Sequence, residues 1–277
     1  MVRSLWTAAT GMIAQQNNVD TIANNLANVN TVGYKTEQNE FKSLLYQTLQ
    51  TRTTTANGEQ KPISAQVGLG VRNASITSQF TNGAFLESES TTSFAIGGEG
   101  FFAVRGEDGQ TYYTRNGDFN FSLAPGGGLV LANSDGLEVL SSTGAPMTVP
   151  ATMNGQPTIA SKITVSGDGQ LYYPDAKNNP QPMNITLGLY QFQNPKGLQK
   201  VGDSLFEVTA ASGQAMNEAT NAALTKSTVR QGYLEGSNVQ VADEMVNLII
   251  AQRAYELNSK AIQTTDDMMQ LANQLKR

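Results

Sequence analysis

Residues 250–275 read IAQRAYELNSKAIQTTDDMMQLANQL. Apolar residues recur in this stretch at alternating steps of four and three, and only Thr264 interrupts the pattern. This spacing is typical of a coiled-coil seam, so it predicts a long helix that packs against other helices. The residues of this first stripe are Ile250, Ala254, Leu257, Ala261, Met268, Leu271 and Leu275.

A second apolar stripe runs beside the first on the same predicted helix. The combined face is too broad for a two-stranded coil and indicates a helix with several neighbours. Ser237 followed by Gln240 predicts a capping box, and Asp243 and Glu244 place negative charge in the first turn, where the helix dipole favours it. The second stripe consists of Val241, Met245, Leu248, Tyr255, Ile262 and Met269.

The other end of the chain repeats the helical pattern. An apolar heptad predicts a helix that begins near Ser4 and ends near Gly33, where glycine permits a left-handed cap. Asparagine is a poor helix former, so its abundance here is informative. Buried amides can fix register, and we expect Asn24 and Asn25 to orient the helix, whereas Asn28 fits a capping role. The heptad is Leu5, Met12, Val19 and Leu26, with Ala8, Ile22 and Val29 three residues behind.

Both helices need partners, because isolated helices are marginal in water and packing supplies most of their stability. The available partners are each other and the same helices of neighbouring copies. We therefore predict that the apolar stripes of both helices, together with Asn24, Asn25 and Asn28, form an assembly interface.

Between the helices the pattern is that of β-structure. Three Asp-Gly pairs, at 108–109, 135–136 and 168–169, are each flanked by short apolar or aromatic runs. Such units are hairpin signatures, and three of them predict an antiparallel β domain.

The predicted fold class is α+β, with an antiparallel all-β central domain between long terminal helices that pack as a coiled-coil-like pair. We assign the N-terminal helix to residues 1–35 and the β domain to residues 67–233. Residues 234–277 form the C-terminal helix. Residues 36–66 are predicted to contain a short amphipathic segment, helical or extended, because of Phe41, Leu44, Leu45 and Leu49, and then a long loop from residue 50 to 66.

The composition excludes several function classes. The 277 residues contain neither histidine nor cysteine, which excludes Ser-His-Asp and Cys-His catalysis, disulfides, and zinc sites built on these residues. A net charge of −5 without a basic patch argues against a nucleic-acid partner. The sequence has no apolar run long enough to span a membrane as a helix, and polar residues interrupt the apolar N-terminal stretch, so no cleaved signal peptide is expected. No cofactor or metal is predicted.

An enzyme is the alternative to an assembly protein. The glycine-rich stretches at 68–70, 97–100 and 126–128 lie within the β pattern and lack the Lys-Ser/Thr of a phosphate-binding loop, so they predict turns. The paired carboxylates Asp243-Glu244 and Asp266-Asp267 fit helix caps and solvated faces better than a glycosidase-like pair. The predicted protein is not an enzyme.

Two terminal motifs resemble those of bacterial flagellar rod and hook proteins. Residues 24–31 (NNLANVNT), followed by Gly33-Tyr34-Lys35, are similar to the family's N-terminal signature, and residues 252–261 (QRAYELNSKA) are similar to its C-terminal one. Residues 113–117 (YTRNG) and 231–239 (QGYLEGSNV) also match. The resemblance spans nearly the whole chain, and residues 4–6 and 44–48 are most similar to the distal rod proteins of the basal body.

The resemblance implies a structural subunit of a helical tube, the drive shaft of the flagellum, with terminal helices lining the inside and the β domain outside. It implies export by the flagellar type III apparatus without a cleaved signal, to the extracytoplasmic basal body. Partners would be further copies, proximal rod and hook proteins, and the rings that surround the rod. The alternative within this family is a hook or proximal-rod subunit. The loop at residues 51–65 is expected to stiffen the polymer by bridging neighbours.

Overall fold

The protein combines two long helices with many short strands. The computed structural model describes residues 2–50, 65–124, 127–153, 156–175, 177 and 179–275. Helix α1 spans Val2–Ala27 and helix α2 spans Val241–Gln274. Two single-turn 3-10 helices lie at Ala160–Lys162 and Pro195–Gly197. The predicted loop at residues 51–65 lies, but for residue 65, outside the described residues.

The strands are all short, with a maximum of eight residues. In chain order they are β1 Glu37–Ser43, β2 Tyr46–Gln50, β3 Ala65–Gly68, β4 Val71–Ser78, β5 Phe85–Glu87, β6 Phe94–Gly97, β7 Phe101–Arg105, β8 Thr111–Thr114, β9 Asn120–Leu123, β10 Leu129–Ala132, β11 Glu138–Val139, β12 Thr148–Val149, β13 Thr152–Met153, β14 Gln156–Pro157, β15 Thr164–Val165, β16 Gln170–Pro174, β17 Pro180–Thr186, β18 Leu189–Gln191, β19 Gln199–Gly202, β20 Leu205–Glu207, β21 Met216–Asn217, β22 Thr228–Gln231 and β23 Tyr233–Glu235.

The chain divides into two compact units. Unit 1 comprises Met1–Ala27, Glu37–Ser78 and Gln240–Arg277, and unit 2 comprises Asn28–Thr36 and Gln79–Val239. These boundaries differ from the predicted ones. The strand β4, assigned to the β domain by its sequence, belongs to unit 1 because it pairs with β1. The segments at 28–35 and 234–239, assigned to the terminal helices, belong to unit 2.

In unit 1, the helices α1 and α2 run antiparallel. Ser4 lies beside Thr265, with 3.5 Å between their hydroxyl oxygens. Gly11 lies against Asn258, whose amide nitrogen would be 2.9 Å from a Cβ built at that glycine. Further along, Asn25 lies 3.4 Å from Glu244. The positions rise on α1 and fall on α2 by multiples of seven, as a heptad spacing predicts.

The short segment after α1 is extended, not helical. Strand β1 pairs antiparallel with β4, with a bulge between Glu40 and Phe41, and β2 pairs antiparallel with β3. Phe41, Leu45 and Leu49 are spaced like one face of a helix, but all three are exposed in unit 1. The helical interpretation is therefore wrong, because backbone pairing with residues 15 to 41 positions away fixes this segment and local periodicity does not.

Unit 2 is antiparallel throughout its described strands. Its main sheet runs in the order β12-β10-β11-β7-β8-β20-β19, with β9, β18 and β21 attached beside this path. The three predicted hairpins are confirmed, since β7 pairs with β8, β10 with β11 and β15 with β16. Each turn has its glycine in the left-handed region, with φ between +74 and +83 at Gly109, Gly136 and Gly169. Glycine adopts this conformation without steric cost, which is why Asp-Gly marks such turns.

The core of unit 2 consists of two clusters. The larger one includes Phe102, Phe119, Leu131 and Leu171, all fully buried. The smaller one is centred on Phe101, whose ring packs edge-on against Phe192 at a centroid distance of 5.4 Å. Edge-to-face geometry is the favoured arrangement of buried rings.

The ends of the helices differ in detail from the expectation. Helix α1 ends at Ala27, six residues before Gly33, whose φ is +70 as a left-handed turn requires. A side chain at Gly33 would collide with the backbone of Asn116, 2.6 Å away, so glycine is needed for close approach as well. The capping box is wrong: α2 begins at Val241 without a side-chain cap, and Ser237 instead accepts a hydrogen bond from the N–H of Val239.

Candidate assembly surface

The two stripes of α2 have different environments in unit 1. The residues of α2 that face α1 follow steps of four and three, and we name them the inner seam. Three of them, Glu244, Ala251 and Thr265, are the buried residues of this helix. The inner seam consists of Glu244, Leu248, Ala251, Tyr255, Asn258, Ile262, Thr265 and Met269.

The first stripe read from the sequence is exposed except for Ala254, which is half-buried. We name this stripe, together with the interrupting Thr264, the outer seam: Ile250, Ala254, Leu257, Ala261, Thr264, Met268, Leu271 and Leu275. Leu257 is 67% exposed and Leu271 is 59% exposed. Val241, Met245 and Tyr255, from the second stripe, are exposed too, although Tyr255 belongs to the inner seam. Unit 1 therefore covers most of one seam of α2 and leaves most of a second, more apolar seam of the same spacing uncovered.

Helix α1 is covered more evenly. Of the predicted residues, Ile22 is buried, and Leu5, Met12, Val19 and Leu26 are half-buried. Two further large apolar side chains, Trp6 and Ile13, are 69% and 61% exposed. Val29 and Asn28 follow the end of the helix and lie in unit 2, where Asn28 accepts a hydrogen bond from the Thr31 hydroxyl at 3.0 Å.

Asn25 and Asn24, the two predicted orienting amides, differ in burial. Asn25 is 1% exposed, donates to the carbonyl of Glu37 at 2.8 Å and accepts from its N–H at 2.9 Å. Its side chain thus pairs with the backbone of β1 as a strand would, and it also donates to Glu244 of α2. Asn24 is exposed. One amide therefore links α1, α2 and β1.

Replacing Asn25 by alanine is expected to destabilise unit 1 by about 1–3 kcal/mol, because two backbone groups of Glu37 lose a buried partner. Asn24→Ala is the matched control, with a smaller expected effect because that side chain is exposed. Urea unfolding followed by the fluorescence of Trp6, the single tryptophan of the chain, measures unit 1. Equal effects of the two substitutions would contradict the orienting role.

The distribution of apolar side chains separates the two units. Among the described residues, 19 of 23 exposed large hydrophobic side chains belong to unit 1, although it holds less than half of the chain. Of 30 buried hydrophobic residues it holds four, Ala8, Ala14, Ile22 and Ala251. A soluble monomer rarely exposes apolar surface in large contiguous patches, so this unit has the character of an interaction surface.

A buried charge cluster in unit 2 was not predicted from the sequence. Glu235 is fully buried and accepts hydrogen bonds from Lys35 at 2.5 Å, from the Gly83 N–H at 3.0 Å and from Arg115 at 3.3 Å. Burial lowers the pKa of Lys35, while the charge of Glu235 opposes that shift. Burial likewise lowers the pKa of Arg115, again against the attraction of Glu235. Glu235 is thus the carboxylate that both cations share, and Glu218 and Glu99 add a smaller attraction on Arg115.

The cluster ties together the segments that follow α1 and precede α2 in sequence. The Gly33 N–H donates to the Glu235 carbonyl at 2.7 Å. Asn238 accepts from both the N–H and the hydroxyl of Thr36, each at 2.7 Å, and donates to the Gln79 carbonyl. The three family motifs that lie in unit 2, at residues 33–35, 113–117 and 231–239, thus meet at this cluster. The three charged residues were visible in the sequence, because each lies within one of these motifs. Their pairing could not be predicted, because it joins residues that are far apart in the chain.

The described residues contain no group of three or more acidic side chains, histidines or cysteines placed to hold a metal ion. The buried carboxylate of Glu218 is bound by Gln191 and by the hydroxyl and N–H of Ser227. Among the helices described, none is long and apolar enough to cross a membrane.

Successive parts of the chain match three protein-family models. Residues 5–35 match "Flagella basal body rod protein", and residues 95–173 match "Flagellar hook protein FlgE/F/G D1 domain". Residues 230–275 match "Flagellar basal body rod FlgEFG protein C-terminal". The first and last matches include the helices α1 and α2, and the middle one lies in unit 2.

Full-length relatives agree with these matches. The chain is 42% identical to the flagellar basal-body rod protein FlgG of Borreliella burgdorferi, with 100% of both chains covered. It is 39% identical to that of Agrobacterium fabrum over 98% of both chains, and 34% identical to that of Bacillus subtilis over 100% of both. The chain therefore belongs to the FlgG family of flagellar basal-body rod proteins.

Proposed function

We propose that this chain is a structural subunit of the distal rod of the bacterial flagellum. Copies polymerise into a helical, tubular drive shaft that transmits motor torque to the hook. The observation that carries the proposal is the apolar surface of unit 1, which holds 19 of the 23 exposed large hydrophobic side chains among the described residues and almost no core of its own. Such a unit gains most of its burial from neighbouring copies.

The proposed mechanism is mechanical. Head-to-tail contacts between identical subunits generate an open helical polymer when the rotation does not close a ring. The helices α1 and α2 act as a coiled-coil-like pair, and their exposed residues pack against the pairs of adjacent copies. Torque is shared among many such contacts, and none of them needs a reactive group or a cofactor.

The charge cluster of unit 2 gives this mechanism a rigid element. Glu235 and Asn238 hold residues 33–36, so the segments next to α1 and α2 in sequence are fixed to each other. Buried ionic groups resist local opening, because separating them leaves charges without partners. We propose that this cluster prevents the two segments from separating under load.

The same proposal assigns partners and location by resemblance to the relatives. Other axial proteins, namely those of the proximal rod and the hook, contact the ends of the polymer, and surrounding rings contact its side. The flagellar type III apparatus exports the chain without a cleaved signal to the basal body in the cell envelope.

The position of the chain in the organelle tests the proposal. The chromosomal gene for the chain is deleted from the source bacterium, and a tagged full-length copy is expressed in its place. The tagged copy is expected to restore motility. Immunoelectron microscopy of isolated basal bodies is expected to locate the tag in the distal rod. Tag density in the hook would favour the alternative of a hook subunit, and density next to the inner membrane would favour a proximal-rod subunit. Absence of the tagged chain from basal bodies would refute the proposed function and both of these alternatives.

A further inference from the structure

The outer seam of α2 lies on one flank of the α1–α2 pair in unit 1. From residue 250 to residue 268, each outer-seam residue precedes an inner-seam residue by one position, as Leu257 precedes Asn258 and Ala254 precedes Tyr255. One residue rotates a helix by about 100°. The outer seam therefore lies on one flank of the α1–α2 pair, beside the surface that α2 shares with α1.

A groove occupies the other flank. It has a volume of about 380 Å³ and is lined by Gln16 and Val19 of α1 and by Gln252, Tyr255 and Glu256 of α2. Gln252 and Glu256 each follow an inner-seam residue by one position, so they are rotated by about 100° in the opposite sense from the outer seam. Ridge and groove thus face opposite directions on one helix pair.

We infer that the outer seam of one copy packs into the groove between α1 and α2 of the next copy. The inference rests on the proposed function and specifies which surfaces of unit 1 meet. Because ridge and groove lie on opposite flanks, every copy can use both at once. The contact is heterologous, and repeating it adds subunits without limit unless a ring closes.

The spacing of the outer seam determines the kind of partner. Steps of four and three over residues 250–275 match the knobs that one helix inserts between the side chains of another. The groove offers two helices in contact, with Val19 and Tyr255 as its apolar lining and three polar side chains around them. Ridges of side chains on one helix fit between those of a facing helix in this way.

A lipid surface is the poorer candidate for the outer seam. Helix α2 carries five acidic residues, Asp243, Glu244, Glu256, Asp266 and Asp267, and two basic ones, Arg253 and Lys260, a net charge of −3. Helices that lie on anionic membranes are rich in lysine and arginine on their polar face. Charge therefore argues against a lipid surface, and the heptad-like spacing favours a helix pair of a second copy of this chain as the partner.

Cysteine cross-linking tests the inference directly, because the natural chain has no cysteine. Four full-length single-cysteine variants are compared: Leu257→Cys on the outer seam, Gln252→Cys and Gln16→Cys in the groove, and Leu123→Cys, an exposed site in unit 2. Variants are mixed in pairs, assembled into filaments and treated with a short bis-maleimide. Products are identified by mass spectrometry.

Filaments that contain Leu257→Cys and either groove variant are expected to give cross-linked dimers, whereas each variant alone and the Leu123→Cys mixture give few. Dimers of Leu257→Cys with itself would show a symmetric contact and overturn the inference, as would filaments without any seam-to-groove product. In both cases the proposed function would stand, since filaments had formed. Failure of the unsubstituted chain to form filaments in cells would instead count against the proposed function.

Discussion

Replacing Glu235 by leucine is expected to lower the free energy of unfolding of unit 2 by about 3–5 kcal/mol, because it leaves two buried cations without their shared carboxylate. Lys35 and Arg115 both have fully buried side chains at this site. Seven of the nine tyrosines belong to unit 2, so its unfolding in urea can be followed by near-ultraviolet circular dichroism.

Two further variants separate charge from packing. The triple variant Lys35→Met, Arg115→Met, Glu235→Leu removes every charge of the cluster and is expected to recover most of the lost stability, since apolar replacement of a whole buried ionic group is often neutral or stabilising. Glu256→Leu breaks the exposed pair with Arg253, 2.8 Å apart, and is expected to change stability by less than about 1 kcal/mol. A Glu235→Leu chain as stable as the parent would show that the cluster does not hold unit 2 together.

Replacing Leu257 by lysine is expected to prevent filament assembly while leaving the monomer folded. Leu257 is 67% exposed in the isolated chain, so the substitution disturbs little there. Losing the burial of one leucine costs about 2 kcal/mol per contact, which corresponds to roughly a 30-fold higher concentration needed for assembly. The charge of lysine in an apolar contact adds to that effect. Sedimentation of purified protein and motility of complemented cells measure the outcome.

Gln263→Lys is the matched control for this variant. It adds the same charge to an exposed position of α2 whose neighbours one turn away are Ser259, Lys260, Asp266 and Asp267, none of them in the outer seam. Assembly and motility are expected to remain near those of the parent chain. If both lysine variants assemble normally, the outer seam is not part of the polymer contact. If both fail, charge alone accounts for the loss.

Much of the architecture could be predicted because its signals are local. The two helices, the three Asp-Gly hairpins and the left-handed Gly33 follow from periodicity and turn chemistry within a few residues. The family motifs could also be recognised from short stretches of sequence. The segment around Phe41 was open to a helical interpretation because its apolar residues are four apart, and only its pairing with β4 shows that it is a strand.

The sequence by itself determined that this chain has two helical ends with apolar stripes, an antiparallel β middle and the motifs of a flagellar rod protein. Tertiary structure decided which stripe of α2 faces α1, since two seams one residue apart have the same spacing and only packing distinguishes them. It also decided the partner of Asn25 and brought Lys35, Arg115 and Glu235 together. Their positions are up to 200 residues apart, so no local pattern records their pairing, and it exists only once the β-strands between them have folded.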